Sequence, residues 1–257
     1  MGLPALELAL AVRDVTALAV YAPPVAVPSS DARRVEPYLS DPATGADPLV
    51  ALFEGGRRIH LRPGSVLFNE GDASNRVVLV QAGRVKASSL TDEGRETVLG
   101  FRGAGEVLGE LSALDGEPHV ATVTVVEEGE ALVVSASHFT DALRDDPAIA
   151  RALLRRLAER LREADRRRVE FVALDVTGRV AGRLVELAGT TGIPEEDGIR
   201  IAMPISQREL AGWVGASREA VNKSLALLVD QGLVIAARRR LVVRDLDALR
   251  CRAGWPR

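Results

Sequence analysis

Between Arg58 and Phe139, apolar and polar positions alternate in short runs interrupted about every ten residues by turn-forming residues, the rhythm of an antiparallel sandwich or barrel. Ser65–Phe68 follows Pro63-Gly64, Val77–Val80 precedes Ala82-Gly83, and Val85–Leu90 precedes Asp92-Glu93-Gly94; Thr97–Phe101 and Ala121–Val126 complete the predicted strands. The period then changes. Asp146-Pro147 supplies a cap and a proline for the first helical position, and no glycine or further proline occurs before Gly178, which predicts a helix of about 25 residues. Along it Ala150, Leu154, Leu157, Leu161, Ala164 and Phe171 recur at steps of four and three, interrupted at Arg168. Such a stripe suits a partner helix from a second copy, or docking on its own domain.

Beyond the helix the pattern becomes denser. Ser206 followed by Glu209 is a capping box that opens a short helix, with Leu210, Ala211 and Val214 inward and Gly215 at its end. Ser217 can cap the next helix, whose inward Val221, Leu225 and Leu228 leave Arg218, Glu219, Asn222 and Lys223 facing outward near its start. This is a helix-turn-helix whose second helix carries long polar side chains where a recognition helix meets base edges. Arg and Lys can donate to guanine O6 and N7, and Glu can accept from cytosine N4. Ser206, Gln207, Arg208 and Ser217 are candidates for phosphate contacts. Leu233–Ala237, Arg238-Arg239-Arg240 and Leu241–Arg244 read as a hairpin with a basic tip, a wing suited to the phosphate backbone.

A length of 257 residues is enough for two domains. A net charge of −3 argues against a nucleic-acid binder until the charge is divided: 13 Lys and Arg face 10 Asp and Glu from Asp175 onward, against 20 and 26 before it. The positive end coincides with the helix-turn-helix. One cysteine, Cys251, excludes an intrachain disulfide, a thiolate zinc site and an iron–sulfur cluster. Residues 1–48 are rich in Ala, Val and Pro without a sustained period and are read as a loosely ordered extension. No basic residue precedes Arg13 and no apolar run has the length of a membrane span, so no secretory signal and no membrane association are expected, and the location expected is cytoplasmic. The predicted division is a β-barrel sensing domain over 49–145, a dimerisation helix over 146–174 and a winged helix-turn-helix over 175–257, an α+β chain. No Ser-His-Asp order, metal-ligand spacing or pair of acids on a shared face is present, so neither an enzyme nor a metal site is expected. A sensor module whose helix-turn-helix contacts protein instead of DNA is the other class the pattern allows.

The run Ser217-Arg218-Glu219-x-Val221-x-Lys223, preceded by Asp175-Val176-Thr177-Gly178-Arg179, resembles the Crp/Fnr family of bacterial transcription regulators. The likeness spans about Leu52 to Arg244. It implies an N-terminal jelly-roll of the cyclic-nucleotide-binding kind, a dimer helix using Leu154, Leu157, Leu161, Ala164 and Phe171, and a homodimer on a pseudo-palindrome in double-stranded DNA. It also implies control by a small-molecule effector through a hinge near Leu174–Gly178, and RNA polymerase as a partner. In the best-known members the equivalents of Arg218 and Glu219, with an Arg where this chain has Lys223, read a TGTGA-type half-site.

Gly105–Val123 resembles the same family's phosphate-binding cassette. The implied effector pocket comprises Gly109, Glu110, Leu111, Ser112, His119, Val120 and Ala121, with Arg160, Ala164 and Asp165 from the long helix. Glu110 is then either a ligand for a ribose hydroxyl or a carboxylate held by a donor such as Arg160. The family's cyclic-nucleotide binders carry Arg-Ser/Thr-Ala where this chain has His119-Val120-Ala121, and its cAMP-responsive members carry Thr-Ser where this chain has Ala164-Asp165. Losing the fixed positive charge and the hydroxyl costs several kcal/mol of phosphate binding by typical values, and an imidazole of pKa near 6.5 replaces the charge only in part. The effector is therefore left unnamed: a cyclic nucleotide, another ligand and effector-independent action all remain open. A haem would have to draw its axial ligands from His60, His119 and His138.

Overall fold

The computed structural model describes residues 47–237 and 240–255, all within one compact unit, Arg33–Arg257. The predicted extension therefore lies outside the described residues except for Asp47 and Pro48, as do Arg238 and Arg239.

A short helix, α1 (Pro48–Ala51), is capped by the Asp47 carboxylate and leads into β1 (Arg57–Leu61), β2 (Val66–Phe68), β3 (Arg76–Leu90), β4 (Glu96–Arg102), β5 (Val107–Leu108), α2 (Glu110–Asp115) and β6 (Thr122–Ser135). The strands are antiparallel in the order β1-β6-β3-β4, with β2 also on β6 and β5 also on β3. Leu61, Phe68, Val78, Val85 and Val125 fill the interior. Two expectations need correction here. The strands predicted on either side of Ala82-Gly83 are one strand, β3, whose pairing with β6 continues through register shifts between Val80 and Val85. Bulges absorb the turn-type residues: Gly83 adopts φ 83°, and Gly129 opposite lies so close that an added Cβ would come 2.0 Å from the Ala82 carbonyl oxygen. Likewise β6 continues to Ser135, well past the predicted end at Val126.

Helix α3 (Ala136–Asp145) turns the chain into α4 (Pro147–Ala173), 27 residues opened by the Asp146 carboxylate and Pro147. Ile149 and Leu153 bury one face of α4 against Leu49, Phe53 and Phe139. Leu154 and Leu161 are 64% and 63% exposed, and Phe171 is also exposed, but Leu157 packs partly against the domain's own core. The predicted stripe is thus split. Leu157 lies four residues from Leu153 and three from Leu154, so it flanks both faces.

The C-terminal region is built from α5 (Val176–Thr191), β7 (Gly192–Glu195), β8 (Gly198–Ile201), α6 (Gln207–Val214), α7 (Arg218–Asp230), β9 (Val234–Ala237), β10 (Arg240–Val243) and α8 (Leu246–Arg252). Its sheet runs β7-β8-β10-β9. Val180, Leu184 and Leu187 of α5 form the centre, packed by Leu210, Val221 and Leu228 of the helix-turn-helix. An apolar surface nearly all round α5 is the pattern of a buried helix. The two parts meet where α6 lies on β4: Phe101 meets Trp213 edge-on at 4.9 Å, and Lys86 bridges Glu96 (2.8 Å) and Glu209 (3.2 Å).

Candidate nucleic-acid interface and effector pocket

The capping box is formed as expected, with the Glu209 N–H donating to Ser206 Oγ (3.1 Å) and the Ser206 N–H donating to Glu209 Oε2 (2.9 Å). Burial works against the Glu209 charge, but the Ser206 donors and the Lys86 ammonium outweigh it and hold the carboxyl below its usual range. One carboxylate therefore both starts the helix-turn-helix and ties it to the β-domain. Gly215 ends α6 in the left-handed conformation with φ 64°, and Phe171 of α4 packs against it so closely that a Cβ there would lie 3.0 Å from the ring. Ser217 caps α7 through the Ala220 N–H.

At the start of α7, Arg218, Glu219 and Lys223 are exposed, and Ser206, Gln207, Arg208 and Ser217 form an exposed rim beside them. Arg218 makes only a long contact with Gln207, at 3.5 Å. Asn222 is half-buried, and its Oδ1 is buried without a hydrogen-bond partner. Arg240, predicted at the free tip of the wing, opens β10 and pairs with Glu195 (2.9 Å) and Asp197 (3.6 Å) of the neighbouring β7–β8 turn. That correction follows from sheet order: β8 lies beside β10, which brings the acidic turn to Arg240.

The cassette folds as a glycine turn into a helix. Gly109 takes φ 81°, and a Cβ there would meet the Arg76 carbonyl oxygen at 3.0 Å and the Phe68 ring at 3.1 Å. Glu110 is 3% exposed and pairs with Arg160, whose other amino group donates to Glu106 and to the Val107 carbonyl, each at 2.7 Å. Burial opposes the Arg160 charge, yet Glu110 and Glu106 raise its pKa above the usual value. His119 is buried against the Phe68 ring, centroids 4.2 Å apart, and its Nδ1 shares a hydrogen bond with Ser112 Oγ at 3.2 Å. Its backbone is bonded on both sides to the Gly71–Asp72 loop. Burial lowers the His119 pKa, with Asp72 opposing and Arg76 adding to the effect. The structure brings Ser112 and Gly109 to His119 and, separately, Glu110 to Arg160; Ala121 is buried, whereas Leu111, Val120, Ala164 and Asp165 are exposed.

Between the cassette and α4 lies a cavity of about 170 Å³ lined by Arg102, Glu106, Arg156, Glu159, Arg160 and Glu163. Of the residues implied for the effector pocket only Arg160 lines it; Glu110, Ser112 and His119 do not. Only Arg160 among these residues was singled out from the sequence. The others carried a signal, since Arg156, Glu159, Arg160 and Glu163 repeat at helical spacing, but a charged helix face reads first as a solvated one.

At the α4–α5 junction, Arg179 donates to the Leu174 carbonyl (2.9 Å) and to the Val214 carbonyl (2.8 Å), satisfying one of the open carbonyls at the end of α4. Arg167 joins the two helices from the other side, pairing with Glu163 of α4 and with Glu186 of α5 (3.0 Å).

A β-domain joined by one long helix to a winged helix-turn-helix is the arrangement of a transcription regulator. Residues 58–146 match the cyclic nucleotide-binding domain family and residues 178–252 the Crp-like helix-turn-helix domain family. The chain is 32% identical over 211 residues to a CRP-like cAMP-activated global transcriptional regulator of Mycobacterium tuberculosis, covering 81% of this chain and 94% of the relative. It is also 32% identical to the cAMP-activated global transcriptional regulator CRP of Haemophilus influenzae, over 78% and 90% of the two chains. Among solved structures, the c-di-GMP responsive global regulator CLP of Xanthomonas campestris superposes with a TM-score of 0.69 at 25% identity, over 77% and 98%. The chain belongs to the Crp/Fnr family of bacterial transcription regulators. It is a DNA-binding regulator and not an enzyme. Among the described residues no helix is long and apolar enough to cross a membrane.

Proposed function

We propose that this regulator binds a pseudo-palindromic operator in the cytoplasm as a homodimer and does so without cAMP. The observation that carries the second half is the Glu110–Arg160 pair: the carboxylate that would accept from a ribose hydroxyl already has a cationic partner. His119, in the place of the phosphate arginine, is buried against Phe68 with its pKa lowered, which supports a neutral ring that offers a phosphate no fixed charge. Any effector that uses Glu110 must then first open this pair. The exposed Leu154, Leu161 and Phe171 support pairing of α4 with its copy in a second chain, since an isolated helix face of that kind would otherwise remain in water. Residues 49–145 then serve sensing, 146–174 dimerisation and 175–257 DNA recognition. Arg218, Glu219, Asn222 and Lys223 read bases, while Ser206, Gln207, Arg208, Ser217, Arg238 and Arg239 meet phosphates, Arg240 being held by Glu195 and Asp197. RNA polymerase is the downstream partner.

A second reading, that cAMP still activates the protein, is favoured by the two relatives described as cAMP-activated. Fluorescence anisotropy on a duplex with an inverted TGTGA repeat and a six-base-pair spacer separates the two readings. Specific binding that changes less than twofold with excess cAMP is expected. Tightening of about tenfold, roughly 1.4 kcal/mol, would establish the second reading, and binding no tighter than to random duplex would overturn DNA recognition at this half-site.

A further inference from the structure

The segment that follows the wing does more than complete the C-terminal core. Leu249 and Ala253 are buried with α5, but the polar groups beyond them reach across the junction between α4 and α5. Arg252 donates twice to the Asp175 carboxylate, at 2.7 and 2.8 Å, and Asp175 is the residue that caps α5 through the Gly178 N–H. Arg252 also lies over Gly178, where an added Cβ would come 3.1 Å from its guanidinium and 3.3 Å from its carbonyl oxygen. Three residues on, the Trp255 indole N–H donates to Glu170 of α4 at 2.9 Å, and Arg166 of α4 stacks over the same ring at 4.6 Å. Glu170 in turn pairs with Arg183 of α5, buried at 2% exposure. Gly254 adopts φ 67°, which turns the chain so that Trp255 meets α4 while Arg252 holds α5.

We infer that Arg252 and Trp255 form a clasp that fixes the angle between the long helix and the DNA-binding domain, and so are positioning residues for DNA recognition. The reason is geometric. Between Ala173 and Val176 only two residues, Leu174 and Asp175, lie outside regular helix, both in extended conformation, and two such residues leave the angle free to vary unless contacts on both sides restrain it. Arg179 and Arg167 restrain it from within the two helices; the clasp adds a third tie from outside. In a dimer that angle sets the distance and rotation between the two recognition helices, hence the operator spacing that both can reach at once.

The inference rests on the homodimeric DNA reading above. Its test is the Arg252→Ala/Trp255→Ala double variant of the full chain, with Trp255→Phe, which keeps the ring under Arg166 but loses the donor to Glu170. Anisotropy is measured on TGTGA inverted repeats with spacers of four, six and eight base pairs; each two-base-pair change rotates one half-site by about 70°. The wild type is expected to prefer one spacer by about tenfold, comparable to one unfavourable base pair, the double variant by less than threefold, and Trp255→Phe by an intermediate ratio, with dimerisation and helix content unchanged. Amide hydrogen exchange on the DNA-free protein gives a second readout: Leu174 and Gly178 should exchange about tenfold faster in the double variant, while Leu184 and Leu187 do not change. A folded, dimeric double variant that keeps the sharp spacer preference overturns the positioning role, and unaltered exchange at Leu174 and Gly178 overturns the clasp itself. A wild type that binds none of the duplexes specifically overturns the DNA reading instead, and hydrogen exchange then decides the clasp alone.

Discussion

Two charged regions of this molecule differ in what they leave unpaired. At the start of α7, Arg218, Glu219 and Lys223 stand exposed with no ion pair among the described residues, and Ser206, Gln207 and Arg208 flank them. Around α2 the charges are used up inside the protein: Arg160 binds Glu110, Glu106 and the Val107 carbonyl, and Arg156 binds Asp47 and the Gly105 carbonyl. A surface meant to read another molecule must present groups that lose only water on binding. A ligand entering beside α2 must first break those ion pairs, so it gains only the difference, although the Nε groups of Arg156 and Arg160 are buried without a partner. The start of α7 thus presents free charges to solvent, whereas Arg160 and Arg156 near α2 are tied to carboxylates of the same chain.

The largest effect should come from separating the DNA-reading end from its second copy. Replacing both Leu154 and Leu161 by Glu puts charges on the exposed face of α4 without touching the core that Leu153 and Ile149 make. Sedimentation should show monomers, and affinity for the inverted repeat should fall by roughly 100- to 10,000-fold as the second half-site is no longer tethered. A dimer that survives these changes would move the interface elsewhere.

Next, Arg160→Ala should act on stability and not on recognition. It leaves the buried Glu110 carboxylate without its cation, a loss of about 3 kcal/mol and a Tm lowered by about 6–12 °C, while a DNA titration at 20 °C stays within about threefold of wild type. Arg218→Ala should do the opposite. Its melting curve should overlay that of the wild type, and affinity should drop by about 1–3 kcal/mol with relaxed preference at one base pair of each half-site. If Arg160→Ala disturbs DNA binding as much as Arg218→Ala does, the two regions are not independent and the contrast drawn between them fails.

The smallest effect concerns His119. Burial keeps its folded-state pKa below the ordinary value of about 6.5, with Asp72 and Arg76 as the facing charges. Between the folded pKa and about 6.5 the unfolded chain binds more protons than the folded one, so this group's contribution is complete above about pH 6.5 and is lost as pH falls toward the folded pKa. Chemical denaturation of wild type and His119→Gln at pH 7.5, 6.5 and 5.5 should show the wild type losing ground to the variant only in the last interval. Parallel curves would place a charged or exposed ring at this position.

Much of the DNA-reading end was legible in the sequence because its determinants are local. The Ser206–Glu209 box, the Gly215 turn and the Ser217 cap each act over three or four residues, and Arg218, Glu219 and Lys223 face outward as helical periodicity expects, whereas Asn222, expected outward with them, is half-buried. Helix α4 was legible for the same reason, from Asp146-Pro147 onward. Less so was β3, where Ala82-Gly83 reads as a turn locally and becomes a bulge only because β6 continues to pair alongside. The central helix α5 escaped for the converse reason: Gly178, Gly182 and Gly189 weaken its helical signal, and its core position removes the polar face that would have marked it.

The sequence by itself thus determined the class of protein, the helix-turn-helix with its caps and the departures from a nucleotide cassette, since these reside in residue identities at short spacing. Only the tertiary structure decided that Glu110 is held by Arg160 across 50 residues, that Arg240 is bound by an acidic turn, that Leu157 packs partly on its own domain, and that Trp255 reaches Glu170 across 85. Pairs so distant along the chain carry no periodic trace, because what selects them is which surfaces the packed elements bring face to face.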